Sequence, residues 1–203
     1  MARRGIEVEV IDRQPLVGQG SSSNRAAIVR PFPTLDMGSR NRFGWAAFLH
    51  AVRLYREVGR CMPCGWYETG VLQLARDAVH HERLERAVEI LGYPPEVVRC
   101  VDAREASDLT GVEISEEGVW FAGGGWIDGL SLCAALINSV SRFVHFRGQI
   151  EVRAVGYKNG IVDIAGSNGQ TVASGELAIL ANGFGAQALI PGTAPWLSAV
   201  RGQ

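Results

Sequence analysis

A carboxylate follows directly on an alternating, β-branched segment near the start of the chain. Residues 6–11, Ile-Glu-Val-Glu-Val-Ile, predict a strand that ends at Asp12. In dinucleotide-binding folds the second strand ends in an Asp or Glu, whose oxygens accept hydrogen bonds from the ribose hydroxyls. Asp12 is therefore a candidate cofactor ligand. The alternative is a plain turn, which Asp also favours at the end of a strand.

Small and polar residues form a loop shortly after Asp12. They are Gly20, Ser21, Ser22, Ser23, Asn24 and Arg25. Small residues let a backbone approach a ligand closely, hydroxyl and amide groups donate hydrogen bonds, and a guanidinium binds phosphate through two parallel ones. The composition indicates a phosphate-binding loop, with an ordinary polar loop as the alternative.

A glycine turn of the form G-x-G-x-x-G is the expected companion of a ribose-binding acid, about twenty residues upstream of it. Asp12 lies too close to the first residue for that turn to be within the chain. Residues 183–188 have the related form G-x-G-x-x-A, but residues 177–203 contain no Asp or Glu to bind a ribose. We therefore do not expect residues 183–188 to be the primary nucleotide site.

Two further places where strands end are candidate ligand contacts. Apolar residues 176–181 predict a strand buried on both faces of a parallel sheet, and Asn182 and Gly183 follow it. Ligands of open α/β sheets bind at this end of the strands. Three glycines at 123–125 join a predicted strand to a predicted helix. The aromatic residues of the middle of the chain are expected in the core; they are Trp66, Trp120, Phe121 and Trp126.

Four cysteines are present, and Cys61 and Cys64 form a C-x-x-C pair. A zinc site of this kind needs a second pair of ligands nearby in the sequence, which the single Cys100 and Cys133 do not provide. Cys61 and Cys64 are therefore expected to be plain thiols in a loop, and no metal site is predicted.

Helical and strand patterns alternate along the chain, which favours an α/β layer with insertions over an all-α or all-β domain. Residues 1–5 have the features of a helix end. Longer helices are predicted over residues 41–58, 80–91, 102–109 and 128–143, the last of them well buried. Strands are predicted over residues 6–11, 70–75, 118–122 and 176–181, and an antiparallel meander over residues 150–157, 161–164 and 171–173.

Composition limits the class of protein further. The chain has 203 residues, 47% hydrophobic and 20% charged, which is typical of a globular domain and excludes a disordered chain. It contains no apolar stretch of roughly 18 residues and no signal peptide, so no membrane partner is predicted and the cytoplasm is the default location.

The charge is unevenly distributed. The net charge of −1 argues against a dedicated nucleic-acid binder. However, residues 1–60 carry ten Arg against five acids, whereas residues 61–120 carry five Arg against twelve acids. The basic first third is suited to face phosphates, and a solvated, ion-paired surface is the alternative.

Taken in order, several short segments resemble the FAD-dependent oxidoreductases of the D-amino-acid oxidase and glycine oxidase type. Within that family the resemblance is strongest to the C-terminal oxidoreductase domain of the bacterial bifunctional proteins that synthesise 5-methylaminomethyl-2-thiouridine in tRNA. The segments are residues 2–5, 19–25 with 31, 70–74, 118–126 with 132–136, 180–183 and 200–203. The chain departs from the family at residues 26–27, where the family has Gln-Gly, and at Arg30, where the family has an aromatic residue before the Pro. It departs again at 128–129, where Asp-Gly replaces Asn-Pro.

The resemblance implies an α/β fold with an α+β insertion. Its FAD/NAD(P)-binding Rossmann-like domain would lack its first strand and would carry an inserted substrate domain of antiparallel sheet and helices. The implied boundaries are 1–39 and 127–192 for the FAD-binding domain, and 40–126 and 193–203 for the substrate domain, both incomplete. The chain is thus expected to be an internal piece of a longer protein, with a methyltransferase domain as a candidate upstream neighbour.

The resemblance also implies a reaction, a cofactor and a partner. The family branch oxidatively removes the carboxymethyl group of carboxymethylaminomethyl-(2-thio)uridine at the wobble position of tRNA, with FAD as the hydride acceptor. Asp12 is carried over as the ribose ligand and residues 20–25 as the loop near the pyrophosphate and flavin. The remaining implied FAD contacts are Val152 on the adenine side and Asn182 and Gly183 at a strand end. Arg25, Arg30 and Arg201 are candidates to bind the substrate carboxylate, with Arg30 and Arg201 put forward as the substrate-binding pair.

Two other functions stay open at the level of sequence. One is an FAD-dependent oxidase or dehydrogenase of a small free amine such as glycine, sarcosine or a D-amino acid. The other is a non-catalytic piece that binds no FAD as it stands, because a missing glycine turn removes the main anion site at a helix N-terminus.

Overall fold

A computed structural model describes residues 1–32, 35 and 38–190. The chain divides into two compact units, one formed by Met1–Val17 with the segment from Arg142 onward and the other by Gly18–Ser141. Both units mix helix and sheet, so the predicted fold class is confirmed. The functional domain boundaries given above remain a prediction, because compactness does not identify which unit holds a ligand.

The elements are numbered in chain order. The helices are α1 (Ser39–Cys61), α2 (Ala78–Leu91), α3 (Ala103–Thr110), α4 (Gly129–Asn138) and α5 (Ala186–Leu189). The strands are β1 (Val8–Ile11), β2 (Ala27–Val29), β3 (Trp66–Tyr67), β4 (Val71–Leu74), β5 (Val98–Val101), β6 (Gly118–Phe121), β7 (Gly125–Ile127), β8 (Val144–Arg147), β9 (Val152–Lys158), β10 (Ile161–Gly166) and β11 (Thr171–Gly175). Short 3₁₀ turns cover Ala2–Arg4, Ser21–Ser23 and Gly183–Gly185.

The first unit contains a parallel strand pair and the antiparallel meander. Strand β1 pairs in parallel with β8, with Val8 opposite Val144. Strands β9, β10 and β11 form the predicted meander in the order β11-β10-β9. Its first hairpin turns at Asn159 and Gly160, whose φ angles of 55° and 83° are those that an Asn-Gly turn supplies at low cost.

The second unit is built around a long antiparallel ladder. Strand β3 pairs with β7, and strand β4 pairs with β6. Between these two pairs, the Gly70 N–H donates to the Gly124 carbonyl (2.9 Å). Strand β2 pairs with β7 and strand β5 with β6, so both flank the ladder on the same edge. The predicted strands at 70–75 and 118–122 are confirmed as β4 and β6.

Two apolar clusters hold this unit together. The larger contains Leu84 of α2 with Val98, Val119 and Phe121 of the sheet. The smaller contains Val58, Cys64 and Ala135, with Trp66 packed against it. Among the aromatics predicted to lie in the core, Phe121 is fully buried. Trp126 is only partly buried and stacks on Tyr67 at 4.0 Å.

Helix ends follow their capping residues. Asp102 accepts a hydrogen bond from the Glu105 N–H (2.8 Å) and is the N-cap of α3. The Glu105 carboxylate accepts from the Arg99 guanidinium, so it is occupied by an ion pair. Helix α2 ends at Gly92, whose φ of 60° is left-handed.

Two of the predicted helices need correction. Helix α1 continues through Gly59 to Cys61, because Val58 and Cys64 bury this end of the helix. Helix α4 ends at Asn138 rather than at residue 143, and only its Ala135 is buried. The chain then turns and forms β8, which pairs with β1.

The predicted strand at residues 176–181 is wrong. The segment has no ladder partner, and Leu177 and Ile179 are 65% and 68% exposed. An apolar run becomes a strand only when neighbouring strands satisfy its backbone groups. Among the described residues the sheet of β1 and β8 has two strands and pairs with no third. No helix within the described ranges is long and apolar enough to cross a bilayer.

Gly125 of β7 is the tightest position in the sheet. A Cβ placed there would lie 2.0 Å from the Tyr67 carbonyl oxygen. We predict that Gly125→Ala lowers the free energy of unfolding by about 2 kcal/mol or more, because a backbone atom cannot yield as a side chain can. Gly44→Ala is the matched control, since its Cβ meets nothing within 4 Å and helix propensity favours Ala. Urea unfolding that gives equal stabilities for the two variants would contradict this.

Candidate functional site

Asp12 is held at the end of β1 by three hydrogen bonds. Its N–H donates to the Arg147 carbonyl (3.1 Å), and its own carbonyl accepts from the Ile150 N–H (3.0 Å). Its Oδ1 accepts from the Gln14 N–H (2.8 Å). Both sequence interpretations are therefore compatible with the geometry. One carboxylate oxygen forms a turn, and Oδ2 has no partner among the described residues and remains a free acceptor.

The loop after β8 supports the loop that contains Asp12. A Cβ at Gly148 would lie 2.6 Å from the carbonyl oxygens of both Gln14 and Pro15. The neighbouring Gln149 adopts a left-handed φ of 61° and donates its N–H to the Gln14 carbonyl (3.1 Å). This close backbone packing fixes where the Asp12 carboxylate lies.

Val152 lies near Asp12. It is the partly buried first residue of β9, two positions after Ile150, whose N–H binds the Asp12 carbonyl. Asn182 and Gly183 are exposed and begin a 3₁₀ turn, in which the Asn182 carbonyl accepts from the Gly185 N–H (3.2 Å). Because the predicted strand before them does not form, they lie in a turn. Their assignment as FAD contacts stays a prediction.

The serine-rich loop lies against the start of α4 in the second unit. The Gly129 N–H donates to the Asn24 carbonyl (3.1 Å), and a Cβ on Gly129 would lie 2.1 Å from the Ser22 carbonyl oxygen. Gly129 has no Cβ, and this allows the loop and the helix to meet so closely.

Asp128 occupies the N-terminus of α4. Its Oδ1 accepts from the N–H groups of Leu130 (3.0 Å) and Ser131 (3.4 Å), and the Ser131 hydroxyl donates to its Oδ2 (3.2 Å). The helix end is thus capped by its own side chain. The donors that the loop presents are the hydroxyls of residues 21–23 and the guanidinium of Arg25, which are exposed and bind no group in the described parts of the chain.

Arg30 follows β2 and is partly buried. Its guanidinium carbon lies 4.6 Å from the ring centre of Phe32 and 5.3 Å from that of Phe121. Its Nη1 donates to the Pro31 carbonyl (3.0 Å). Burial lowers the pKa of Arg30 from its ordinary value, and no carboxylate in the described ranges pairs with it. The group is therefore a partly desolvated cation with donors to spare.

Sequence reasoning named Arg30 but missed the environment that makes it distinctive. Phe32, two residues later, was the available indication of a cation–π contact. The second ring, Phe121, comes from β6 and is not visible as a neighbour in the sequence. Arg201, the other predicted substrate-binding residue, lies outside the described residues.

The cysteine pair lies apart from these groups in the sequence. Cys61 is exposed and is the last residue of α1, and Cys64 is buried with its Sγ 3.4 Å from the Tyr55 carbonyl. The expectation of two loop thiols is therefore wrong for Cys61, because α1 extends that far. Where the chain is described, no three metal-binding side chains cluster.

The residues present fit the parts of a flavin dinucleotide by their chemistry. A fixed carboxylate with a free oxygen suits ribose hydroxyls. A loop of three hydroxyls, exposed backbone and one guanidinium suits a pyrophosphate. Asp12, Val152, Asn182 and Gly183 belong to the first unit, whereas residues 20–25 and Arg30 belong to the second.

Comparison with known proteins identifies relatives for the whole chain. Residues 1–203 match the family model described as FAD dependent oxidoreductase. A tRNA 5-methylaminomethyl-2-thiouridine biosynthesis bifunctional protein, MnmC, of Ralstonia nicotianae is 29% identical over 204 residues, which cover 100% of this chain and 31% of the relative. The MnmC of Aromatoleum aromaticum is 36% identical over 211 residues, covering 100% of this chain and 32% of the relative. The chain thus spans about a third of the length of the curated relatives it matches.

Solved structures share the fold. Glycine oxidase from Geobacillus kaustophilus superposes with a TM-score of 0.76 at 20% identity, covering 93% of this chain and 52% of that one. Fructosyl amine:oxygen oxidoreductase from Aspergillus fumigatus gives a TM-score of 0.69 at 19% identity, covering 94% and 46%. These likenesses concern the architecture alone.

The free oxygen of Asp12 leads to a prediction about cofactor affinity. In the full-length protein we expect Asp12→Asn to weaken FAD binding by about tenfold or more, because a charged acceptor of the ribose hydroxyls is lost. Asn can still accept from the Gln14 N–H, so the turn should persist. Titration of the apoprotein with FAD, followed by fluorescence, measures this. Asp163→Asn in the meander is the control, and equal FAD affinity in the two variants would refute the role of Asp12.

Proposed function

The chain belongs to the family of FAD-dependent oxidoreductases, and on that premise we propose a reaction for the whole protein. It oxidatively removes the carboxymethyl group of carboxymethylaminomethyl-(2-thio)uridine at the wobble position of tRNA. The similarity to MnmC over the full chain supports this, together with the partial burial of Arg30, which pairs with no carboxylate of the described residues.

The reaction breaks one C–H bond and then one C–N bond. When bound, FAD supplies the acceptor for the hydride and its two electrons. The hydride leaves the carboxymethyl carbon beside the nitrogen of the unprotonated secondary amine, which becomes an imine as the N–H proton departs. Water adds to the imine carbon and the C–N bond breaks. The products are glyoxylate and the aminomethyl uridine, which remains in the tRNA.

Arg30 is the residue we assign to the substrate carboxylate. A guanidinium offers donors in a planar fork that matches a carboxylate. Contact with the Phe32 and Phe121 rings removes part of its hydration and restricts its motion, so less freedom is lost on binding. The substrate would thereby be oriented through its carboxylate, which lies one bond from the carbon that loses hydride.

The remaining site residues are proposed to bind the cofactor. Asp12 would accept from the ribose hydroxyls, with Val152 on the adenine side. Residues 20–25 would donate to the pyrophosphate and approach the flavin, and Asn182 and Gly183 would contact FAD from their turn. The proposed partner is tRNA, and because the relatives are named bifunctional, a methyltransferase domain in the same polypeptide is proposed. Because tRNA is the proposed substrate, the cytoplasm is the proposed location.

A small free amine is the second candidate substrate, because Arg30 would suit the carboxylate of glycine or sarcosine equally well. In the deciding experiment, the full-length, FAD-loaded protein is given one of three substrates. These are tRNA carrying the carboxymethylaminomethyl group, glycine, and sarcosine. Mass spectrometry of the nucleosides and assay of glyoxylate follow the products. We expect conversion of the tRNA nucleoside, whereas turnover of glycine or sarcosine alone would select the free-amine function.

The role assigned to Arg30 predicts a specific kinetic change. Arg30→Gln should raise KM for the modified tRNA by roughly 10–100-fold, since a charge-assisted pair is lost, and Arg30→Lys should restore part of it. Steady-state kinetics of glyoxylate release provide the measurement. Arg83→Gln, an exposed change on α2, is the control. An unchanged KM in Arg30→Gln would remove Arg30 from the site.

A further inference from the structure

Helix α1 has one buried face and one strongly basic exposed face. Its buried side chains, Phe48, Val52 and Val58, pack into the second unit. Its 23 residues include five arginines and one acid, Glu57. The basic excess of the first third of the sequence is therefore concentrated on this helix.

Three of these arginines form a row. Arg42, Arg53 and Arg60 are separated by eleven and seven residues, and at 3.6 residues per turn each step returns to within about 20° of the same direction. With a rise of about 1.5 Å per residue, the row extends over about 27 Å. We call these three residues the arginine stripe.

The arginine stripe is exposed and has no ion-pair partner in the described parts of the chain. All three side chains are exposed, and none forms an ion pair with a described residue. The nearby Arg56 differs, because its guanidinium binds the Glu68 carboxylate. The stripe therefore carries three positive charges along one line, and the one acid of the helix is Glu57.

Fold stability does not explain this arrangement. Arg42 lies near the N-terminal end of α1, where the helix dipole disfavours a cation, and the first turn holds no acid to offset it. Like charges along one face also repel one another. An anionic ligand that follows the helix axis would convert both unfavourable effects into favourable ones.

We propose that the arginine stripe binds the sugar–phosphate backbone of the tRNA, an inference that rests on the proposed function and adds the surface by which the substrate is held. A nucleic-acid strand is a line of regularly spaced negative charges, which matches a line of cations. An amphipathic helix that binds a membrane inserts a continuous apolar face. The continuous apolar face of α1 is packed inside the protein, and its large exposed apolar side chains are the separate Phe43 and Leu49. Helices α2 and α3, in the acidic part of the sequence, offer no comparable row.

The test measures binding of modified tRNA to the full-length, FAD-loaded protein by fluorescence anisotropy at several salt concentrations. The stripe variant is Arg42→Gln, Arg53→Gln and Arg60→Gln combined. Its control is Arg83→Gln, Arg86→Gln and Arg104→Gln, which removes the same charge from exposed, unpaired arginines of α2 and α3. We expect the stripe variant to raise Kd by about 30-fold or more and to reduce the slope of log Kd against log salt by about 2–3. The control should stay within about twofold of wild type.

Other outcomes overturn the inference. Equal Kd and salt slope in the two triple variants would mean that the stripe does not touch RNA. The protein is also tested with phosphatidylserine vesicles and with polyglutamate. If either binds as tightly as tRNA or more tightly, and the binding depends on the stripe, the ligand of the stripe is a membrane or an acidic protein instead.

Failure of the inference is separable from failure of the proposed reaction. If the nucleoside is converted and the stripe variant binds tRNA like wild type, only the stripe is wrong. If tRNA binding depends on the stripe but no nucleoside is converted, only the reaction is wrong. If both hold, the stripe variant should raise KM for tRNA and leave kcat at saturating tRNA unchanged.

Discussion

The second unit depends on the close approach of β7 to its two neighbours. Strand β7 is the middle strand between β2 and β3, and Gly125 has room for no Cβ against the Tyr67 carbonyl. Strand β2 is three residues long and β7 is its only ladder partner among the described strands. The serine-rich loop precedes β2 and Arg30 follows it, so the ladder between β2 and β7 fixes the segment that carries both.

The same principle operates at Gly129 and Gly148. In each case the missing Cβ lets a loop carbonyl come within distances that no other residue would permit. Gly129 brings the serine-rich loop onto α4, and Gly148 brings the loop of Asp12 onto the end of β8. Polar groups proposed for the cofactor are thus positioned by backbone packing, which is more rigid than side-chain contacts. This is how loops can present donors and acceptors in fixed places.

Local patterns in the sequence predicted the elements that depend on local chemistry. The alternation before Asp12 predicted β1, the segments at 150–157, 161–164 and 171–173 predicted the meander, and the helical pattern at 102–109 predicted α3. Strands β2, β3 and β7 were not predicted, because they are two or three residues long and pair with partners far away in the sequence. The apolar run at 176–181 failed for the converse reason, since its composition suits a strand but it has no partner there.

The candidate site shows the same division. Residue types indicated Asp12, the serine-rich loop and Arg30, because their chemistry is visible in the sequence. What makes Arg30 a receptor is the Phe121 ring from a distant strand, and what makes the arginine stripe a surface is the full length of α1. Both required the fold. In the proposed reaction, the stripe would hold tRNA by its backbone and Arg30 would bind the carboxylate of the modified base.

Anaerobic single turnover tests this account most directly. The full-length, FAD-loaded protein is mixed with tRNA bearing the carboxymethylaminomethyl group, and flavin absorbance, nucleoside mass and glyoxylate are followed together. The account predicts that each flavin reduced is matched by one converted nucleoside and one glyoxylate. Flavin that stays oxidised with this tRNA but is reduced by glycine or sarcosine would contradict it.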